Sequence, residues 1–303
     1  MREREFSFSK ILTYATCPEK YRLSYGDSGI SSPEGTRILP IKKAKPLVLG
    51  SCLAKGLEGY RTEGTLKAAS DAFKKEWINE GKVLSIHADP DNPKDFRTVE
   101  RGLEVLADYI RQYPDEDKQM VESEIRFRLN IGEINGVAIF LVGRVDGVIL
   151  LRNDLCVIED KSTSMLGPTF LQHLRDSLQI GLYLYAADRE GLFEVAGKKK
   201  TPKCLMNAIK VHIKEFKYDR DLAIKARPKL ERYKENALMW ISRIMSSEQT
   251  GVFPKNDVDN LTCTKYGGCE YLSLRYTEGS IRERLLKNEY RIVEGRDKNA
   301  VTT

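Results

Sequence analysis

The order of residue patterns along the chain predicts an α/β protein: one sheet with helices on it, and a helical region formed by both chain termini. Three observations carry that expectation. Helical spacing dominates the first third, period-two alternation sets in at Val121, and a helix, a strand and a helix then follow one another. No internal repeat or low-complexity stretch interrupts this order, and 303 residues are ample for a single large domain.

From Phe6 to Tyr25, Ser7 or Ser9 offers a cap, and Ile11, Leu12, Tyr14 and Ala15 lie at helical spacing. Pro18, directly after Cys17, breaks that helix before a further helical turn. Residues 28–46, rich in Gly, Ser, Pro and Lys, read as a loop. Leu47–Thr62 is a second helix with Leu49, Leu53, Leu57 and Tyr60 as its apolar stripe. Residues 66–80 and 99–112 give two more, joined by the loop ADPDNPKD, whose prolines disfavour helix. ESEIRFRLNI then alternates as a strand, VAIFLVGRVDGVILL follows Gly136, and LCVIEDKS returns after a tight turn at Asn153-Asp154. Phe170–Glu190 reads as one long helix ended by Gly191. A basic turn, KKKTPK, leads into a strand from Cys204 to Phe216. A helix around Asp219–Ser247, a cysteine-bearing segment 251–275 and a charged tail complete the chain.

Composition excludes several classes. Hydrophobic residues at 41% and charged residues at 31% fit a globular core, not a disordered tail or a fibre. No run of about 18 apolar residues predicts a membrane span. MREREFSFSK has no apolar stretch after its charges, so no secretory signal is expected and the cytoplasm is the expected compartment. The net charge of +6 is compatible with a polyanionic partner without requiring one. In a reducing compartment the six cysteines are expected to be buried, catalytic or metal-binding.

The chemistry-bearing stretch is GRVDGVILLRNDLCVIEDK. With a two-residue turn at Asn153-Asp154, Asp146 lies opposite Lys161 and Glu159 faces Val148. Side-chain alternation puts Asp146, Glu159 and Lys161 on one sheet face, and Asp160 points the other way. Both faces are otherwise apolar, so these strands are expected to be central, where two carboxylates and an ammonium must pair or bind a metal. Two converging carboxylates suit a hard divalent ion such as Mg²⁺, with waters and substrate phosphates as further ligands. The adjacent lysine would serve the attacking water or the charge of the phosphate. The plain alternative is a cross-strand salt bridge from Asp146 or Glu159 to Lys161.

GRVD, EDK after a short hairpin, and QIGLY on the next helix resemble the PD-(D/E)XK nuclease superfamily, in particular its RecB-like branch, which includes CRISPR-adaptation nucleases and many phage exonucleases. The resemblance runs from YATCPEKY to CTKYGGCEY. It implies a restriction-endonuclease-like mixed sheet flanked by helices, with a nuclease core over about 47–217 and a helical, cysteine-bearing clamp from about 6–25 and 218–280 in a single domain. It implies Mg²⁺ or Mn²⁺ on Asp146 and Glu159, with the main-chain carbonyl of Asp160 completing the set and Lys161 as the catalytic lysine. Gln179 and Tyr183, four apart on one helix face, match the branch's Q-x-x-x-Y element.

Two departures stand out. In GSCLAKGLEGY the position of the branch's usual histidine ligand reads Ala54; Glu58, one turn on, is the available substitute at the metal. His87, His173 and His212 match no such motif. The branch often carries an iron–sulfur cluster on four cysteines; here Cys17, Cys263 and Cys269 match and the fourth position reads Arg275, so the set is incomplete. Cys52, Cys156 and Cys204 fit buried packing. The implied activity is hydrolysis of DNA, from an end or as a single strand, in recombination or beside a recombinase or CRISPR-adaptation partner. The other reading is a catalytically weakened nuclease fold that binds DNA or serves as an assembly subunit. Candidate DNA contacts are Lys198, Lys199, Lys200 and Lys203, the strand Lys210–Lys217, and Lys42, Lys43 and Lys45, although lysines in exposed turns are commonly just solvated.

Overall fold

The computed structural model describes residues 2–25, 37–41, 43–92, 95–167, 169–195, 197–255, 263 and 268–293. In chain order its elements are β1 (Arg2–Ser7), α1 (Phe8–Thr16), α2 (Pro18–Tyr25), β2 (Arg37–Pro40), α3 (Lys45–Glu63), α4 (Leu66–Asn79), α5 (Val99–Gln112), α6 (Glu116–Gln119), β3 (Met120–Ile134), β4 (Val137–Leu151) and β5 (Asp154–Thr163). There follow α7 (Phe170–Arg175), α8 (Leu178–Arg189), the short β6 (Glu194–Val195) and β7 (Lys198–Lys199), β8 (Lys203–Val211), β9 (Phe216–Ile224), α9 (Arg227–Thr250), α10 (Leu272–Arg275), α11 (Gly279–Glu289) and β10 (Tyr290–Val293). The chain divides into a core unit, Lys43–Phe127 with Gly143–Lys234, and a terminal unit, Met1–Lys42 with Arg128–Val142 and Glu235–Thr303.

The core unit is a mixed sheet flanked by helices. Its strand order is β4-β5-β8-β9, with β3 paired to β4; β5 and β8 are parallel, whereas β4–β5 and β8–β9 are antiparallel. Helices α3, α4 and α5 pack Leu49, Leu53, Phe73, Val105, Leu106 and Tyr109 against Ile209 and Val211 of β8. That burial is the main stabilising term for helices whose sequences alternate apolar stripes with charge. α8 lies on the opposite sheet face. Gly181 brings this helix close to α9: a Cβ there would stand 2.3 Å from Cγ of Tyr233.

The terminal unit gathers both ends of the chain. β1 runs parallel to the first half of β4, Arg2 beside Val137 and Ser7 beside Val142. Ser7 also caps α1, accepting from the Lys10 amide at 3.3 Å. β2 pairs antiparallel with β10 over a small core of Leu23, Ile38, Tyr271, Leu274 and Tyr290. The Tyr271 hydroxyl donates to the Ile38 carbonyl at 2.7 Å. No helix among the described residues is long and apolar enough to cross a membrane.

Several boundaries differ from the sequence expectation. Leu151 pairs with Asp154, so the β4–β5 turn is Arg152-Asn153, one residue earlier than expected. Both turn residues have positive φ, 52° and 67°, as a two-residue hairpin turn requires, and Asn153 tolerates that conformation well. Gly147 therefore faces Ile158, and the same register sets Asp146 opposite Glu159 rather than Lys161. A slip of two residues preserves which face each side chain takes. The expected helix 170–190 is two helices, because Ser177 accepts from the Ile180 amide at 3.3 Å and starts α8 afresh. The strand expected to end at Phe216 turns at His212–Glu215 and returns as β9. β1 and the β2–β10 pair replace segments read as helix, loop and tail.

Candidate active site

β4 and β5 deliver the acidic pair from neighbouring strands. The Asp160 amide donates to Oδ2 of Asp146 at 2.8 Å, which ties the two strands together at the site. Glu159 is buried, and Lys161, two residues along the same strand face, forms an ion pair with its Oε1. α8 closes over this face: Nε2 of Gln179 donates to Oε1 of Glu159 at 2.7 Å and to the Tyr183 hydroxyl oxygen at 3.1 Å. The edge of Phe127 packs against the Tyr183 ring, centroids 6.0 Å apart. The structure thus brings Asp146, Glu159, Lys161, Gln179 and Tyr183 together.

The electrostatics follow from burial. Burial and the nearby Asp146 charge push the Glu159 carboxyl up to about 8, against the pull of Lys161. Asp146 is likewise raised, by burial and by Asp160. Burial works against the Lys161 ammonium, but Glu159 and Asp146 outweigh it and hold its pKa above the ordinary lysine value. Burial keeps the Tyr183 phenol protonated.

Oε2 of Glu159 is buried and has no hydrogen-bond partner among the described residues. An acceptor left bare in the interior is costly, and here it lies on the face shared with Asp146. The donor set is therefore of the kind a hard divalent ion takes: two carboxylates, with room in its coordination for water and phosphate oxygens. Among the described residues no three His, Cys, Asp or Glu side chains are gathered closely enough to hold a metal by themselves. Glu58 is not brought to the pair; on α3 it is bound by Lys55 at 2.7 Å, while Lys55 also reaches Glu124 at 2.8 Å. Ala54 on the same helix is exposed.

Asp160 turns to the other face, as alternation requires. There it meets a buried network absent from the sequence reading: Arg61 of α3, Tyr109 of α5, Glu116 of α6, Asn207 of β8 and Arg220 of β9. Arg61 and Glu116 have side chains only 2% exposed and are bonded at 3.2 Å. The charge and hydrogen bonds of Arg61 hold the Asp160 carboxyl below the usual range despite burial. Two signals were available: Arg61 continues the i, i+4 series Leu49, Leu53, Leu57, and Asn207 interrupts the apolar strand CLMNAI.

Cys17, Cys263 and Cys269 line one small cavity of the terminal unit, together with Leu23, Tyr271 and Arg275. Arg275 donates to Sγ of Cys263 at 3.1 Å. A guanidinium is a donor and cannot serve as a ligand, so these residues do not fit a four-thiolate cluster. Cys52, Cys156 and Cys204 are buried, as expected.

Five of the ten lysines considered for DNA contact are already paired. Lys200 and Lys203 share Asp154, Lys210 binds Glu215, Lys43 binds Glu80 and Lys45 binds Asp95. Lys198 and Lys199 are exposed on β7 and have no carboxylate partner among the described residues. Lys42 lies outside the described residues.

A family model of the PD-(D/E)XK nuclease superfamily matches residues 5–274, and the chain belongs to that superfamily. The fold class and family expected from GRVD, EDK and QIGLY are the ones found. Among solved structures the chain is similar to a putative exonuclease from Eubacterium rectale, at 11% identity over 84% of this chain and 86% of that one, with a TM-score of 0.49. It is also similar to SSO0001, at 15% identity over 64% of this chain and 84% of that one, with a TM-score of 0.30. No curated protein matches it.

Proposed function

We propose that this chain is a divalent-metal-dependent nuclease that hydrolyses DNA phosphodiester bonds, working from an end or on single strands. The observation that carries this reading is the bare, buried Oε2 of Glu159 on the face it shares with Asp146 and Lys161. Asp146 and Glu159 would hold Mg²⁺ or Mn²⁺, with the Asp160 carbonyl as a further ligand. Bound there, the ion supplies Lewis acidity toward a phosphate oxygen and toward water. Gln179 fixes the rotamer of Glu159, so that one oxygen stays committed to the protein and the other remains available. Lys161 keeps its proton in this acidic setting and is placed to meet the negative charge that grows on the phosphoryl group. Tyr183, held as a phenol, has a hydroxyl to offer the DNA backbone.

The test is Lys161→Ala with a labelled oligonucleotide in Mg²⁺ and in Mn²⁺. Cleavage is expected to fall by at least ~10²-fold while folding and DNA binding persist. Undiminished cleavage would remove Lys161 from the reaction. That no third carboxylate joins the pair among the described residues, Glu58 being held by Lys55, favours a second reading in which the site is catalytically weak and the chain chiefly binds DNA. Binding without degradation by the wild-type chain in either metal selects that reading.

A further inference from the structure

We infer that Arg61 is a positioning residue for the acidic pair, acting across the sheet through Asp160. The inference rests on the metal-dependent nuclease reading and goes beyond it by giving the face opposite the active site a part in metal binding.

The geometry forms a continuous chain of bonds. The guanidinium of Arg61 takes Asp160 in a two-pronged grip, Nη1 to Oδ2 and Nη2 to Oδ1, the latter at 2.9 Å. Asn207 donates to the same Oδ1 at 2.7 Å, so the Asp160 carboxylate has no rotational freedom left. The main-chain N–H of that clamped residue donates to Oδ2 of Asp146 at 2.8 Å. One oxygen of Asp146 is therefore held by a peptide whose own side chain is locked on the far face. Ligands of a metal depend in the same way on the groups that orient them from behind.

The network is also closed in charge. Arg61 faces Asp160 and Glu116, and Arg220 faces Glu116, so two guanidinium groups meet two carboxylates. Tyr109 and Asn207 fill the remaining bonds. A network serving stability alone would treat its two carboxylates alike. The proposed role does not, because only Asp160 touches Asp146.

That asymmetry defines the experiment: Mn²⁺ binding by isothermal titration calorimetry, with a thermal melt of each variant. Arg61→Lys keeps the charge but loses the fork. The double variant Arg61→Met/Asp160→Asn removes both charges together and leaves no buried ion unpaired. Both are expected to bind Mn²⁺ ~10–100-fold more weakly. Glu116→Gln breaks the same network on its other side and is expected to lower the melting temperature while leaving Mn²⁺ affinity at the wild-type value. Wild-type affinity in both Arg61 variants overturns the inference, as does an equal loss in Glu116→Gln. Failure of the wild-type chain to bind Mn²⁺ overturns the nuclease reading together with it.

Discussion

Glu159 has one oxygen held by Gln179 and Lys161, while the other stands bare inside the protein. Its carboxyl, pushed up to about 8 chiefly by burial, binds a proton that the unfolded chain would have released near the ordinary value of ~4.3. The sign follows from linkage. The stabilising contribution is complete below the unfolded pKa and is lost as pH rises through about 8 in the metal-free protein. A cation entering the site must displace that proton, so Mn²⁺ binding is expected to release protons at pH 7 and fewer as pH rises through about 8. Calorimetry in buffers of different ionisation enthalpy measures this release, and a release that does not fall as pH rises from 7 to 9 would show that Glu159 is not its source. Residue by residue, Asp146, Glu159 and Lys161 were legible because charged side chains interrupt otherwise apolar strands, whereas Gln179 and Tyr183 came only with the resemblance, through its Q-x-x-x-Y spacing. Arg61 was not, since one cation at the end of an apolar stripe looks like the edge of that stripe.

At the scale of elements, the site depends on how closely α8 can approach its neighbours. Gly181 lies between Gln179 and Tyr183, and a methyl group there would run into the ring of Tyr233. Gly181→Ala is expected to cost ~1–3 kcal/mol in a urea melt, and cleavage should fall as well because the helix bearing both site residues must shift. A variant as stable and as active as the wild type would show that α8 has slack. Sequence periodicity located most helices and strands but not their joints. The break at Ser177 is a single cap inside an apolar run, too local for periodicity to register. In Phe216–Ile224 the charges of Lys217, Asp219, Arg220 and Asp221 mask the strand alternation, so β9 read as the start of a helix. The hairpin turn was misplaced by one residue because Asn153-Asp154 and Arg152-Asn153 are both plausible turn pairs. The face assignment survived because the resulting slip was even.

For the whole molecule, net charge is a poor guide to where DNA would lie. Of the formal +6, much of the lysine surface first considered is internally matched, each lysine spoken for by a nearby carboxylate. Lys214 and Lys217 are exposed without a carboxylate ion pair among the described residues, and so, side by side on β7, are Lys198 and Lys199. Alanine at both is expected to reduce the slope of log affinity against log salt by ~0.7 per lost phosphate contact on single-stranded DNA, measured in EDTA to prevent cleavage. An unchanged slope would direct the search to other surfaces. The sequence order foretold an α/β core with both termini gathered in one region. It did not reveal that those termini include strands, since β1, β2 and β10 are four to six residues each and lack a sustained alternation.

The β2–β10 pairing has a consequence in time. Among the described residues Arg37–Pro40 pairs with Tyr290–Val293 alone, and the Ile41 amide bonds to the carbonyl of Glu289 at 2.9 Å. On the ribosome, every residue of the core unit has been made before β10 exists, so β2 must wait with an unpaired edge while the later segments are translated. The β2–β10 closure of the terminal unit is therefore a late step, and the interval before it is when the β2 edge is most exposed to pairing with the wrong partner.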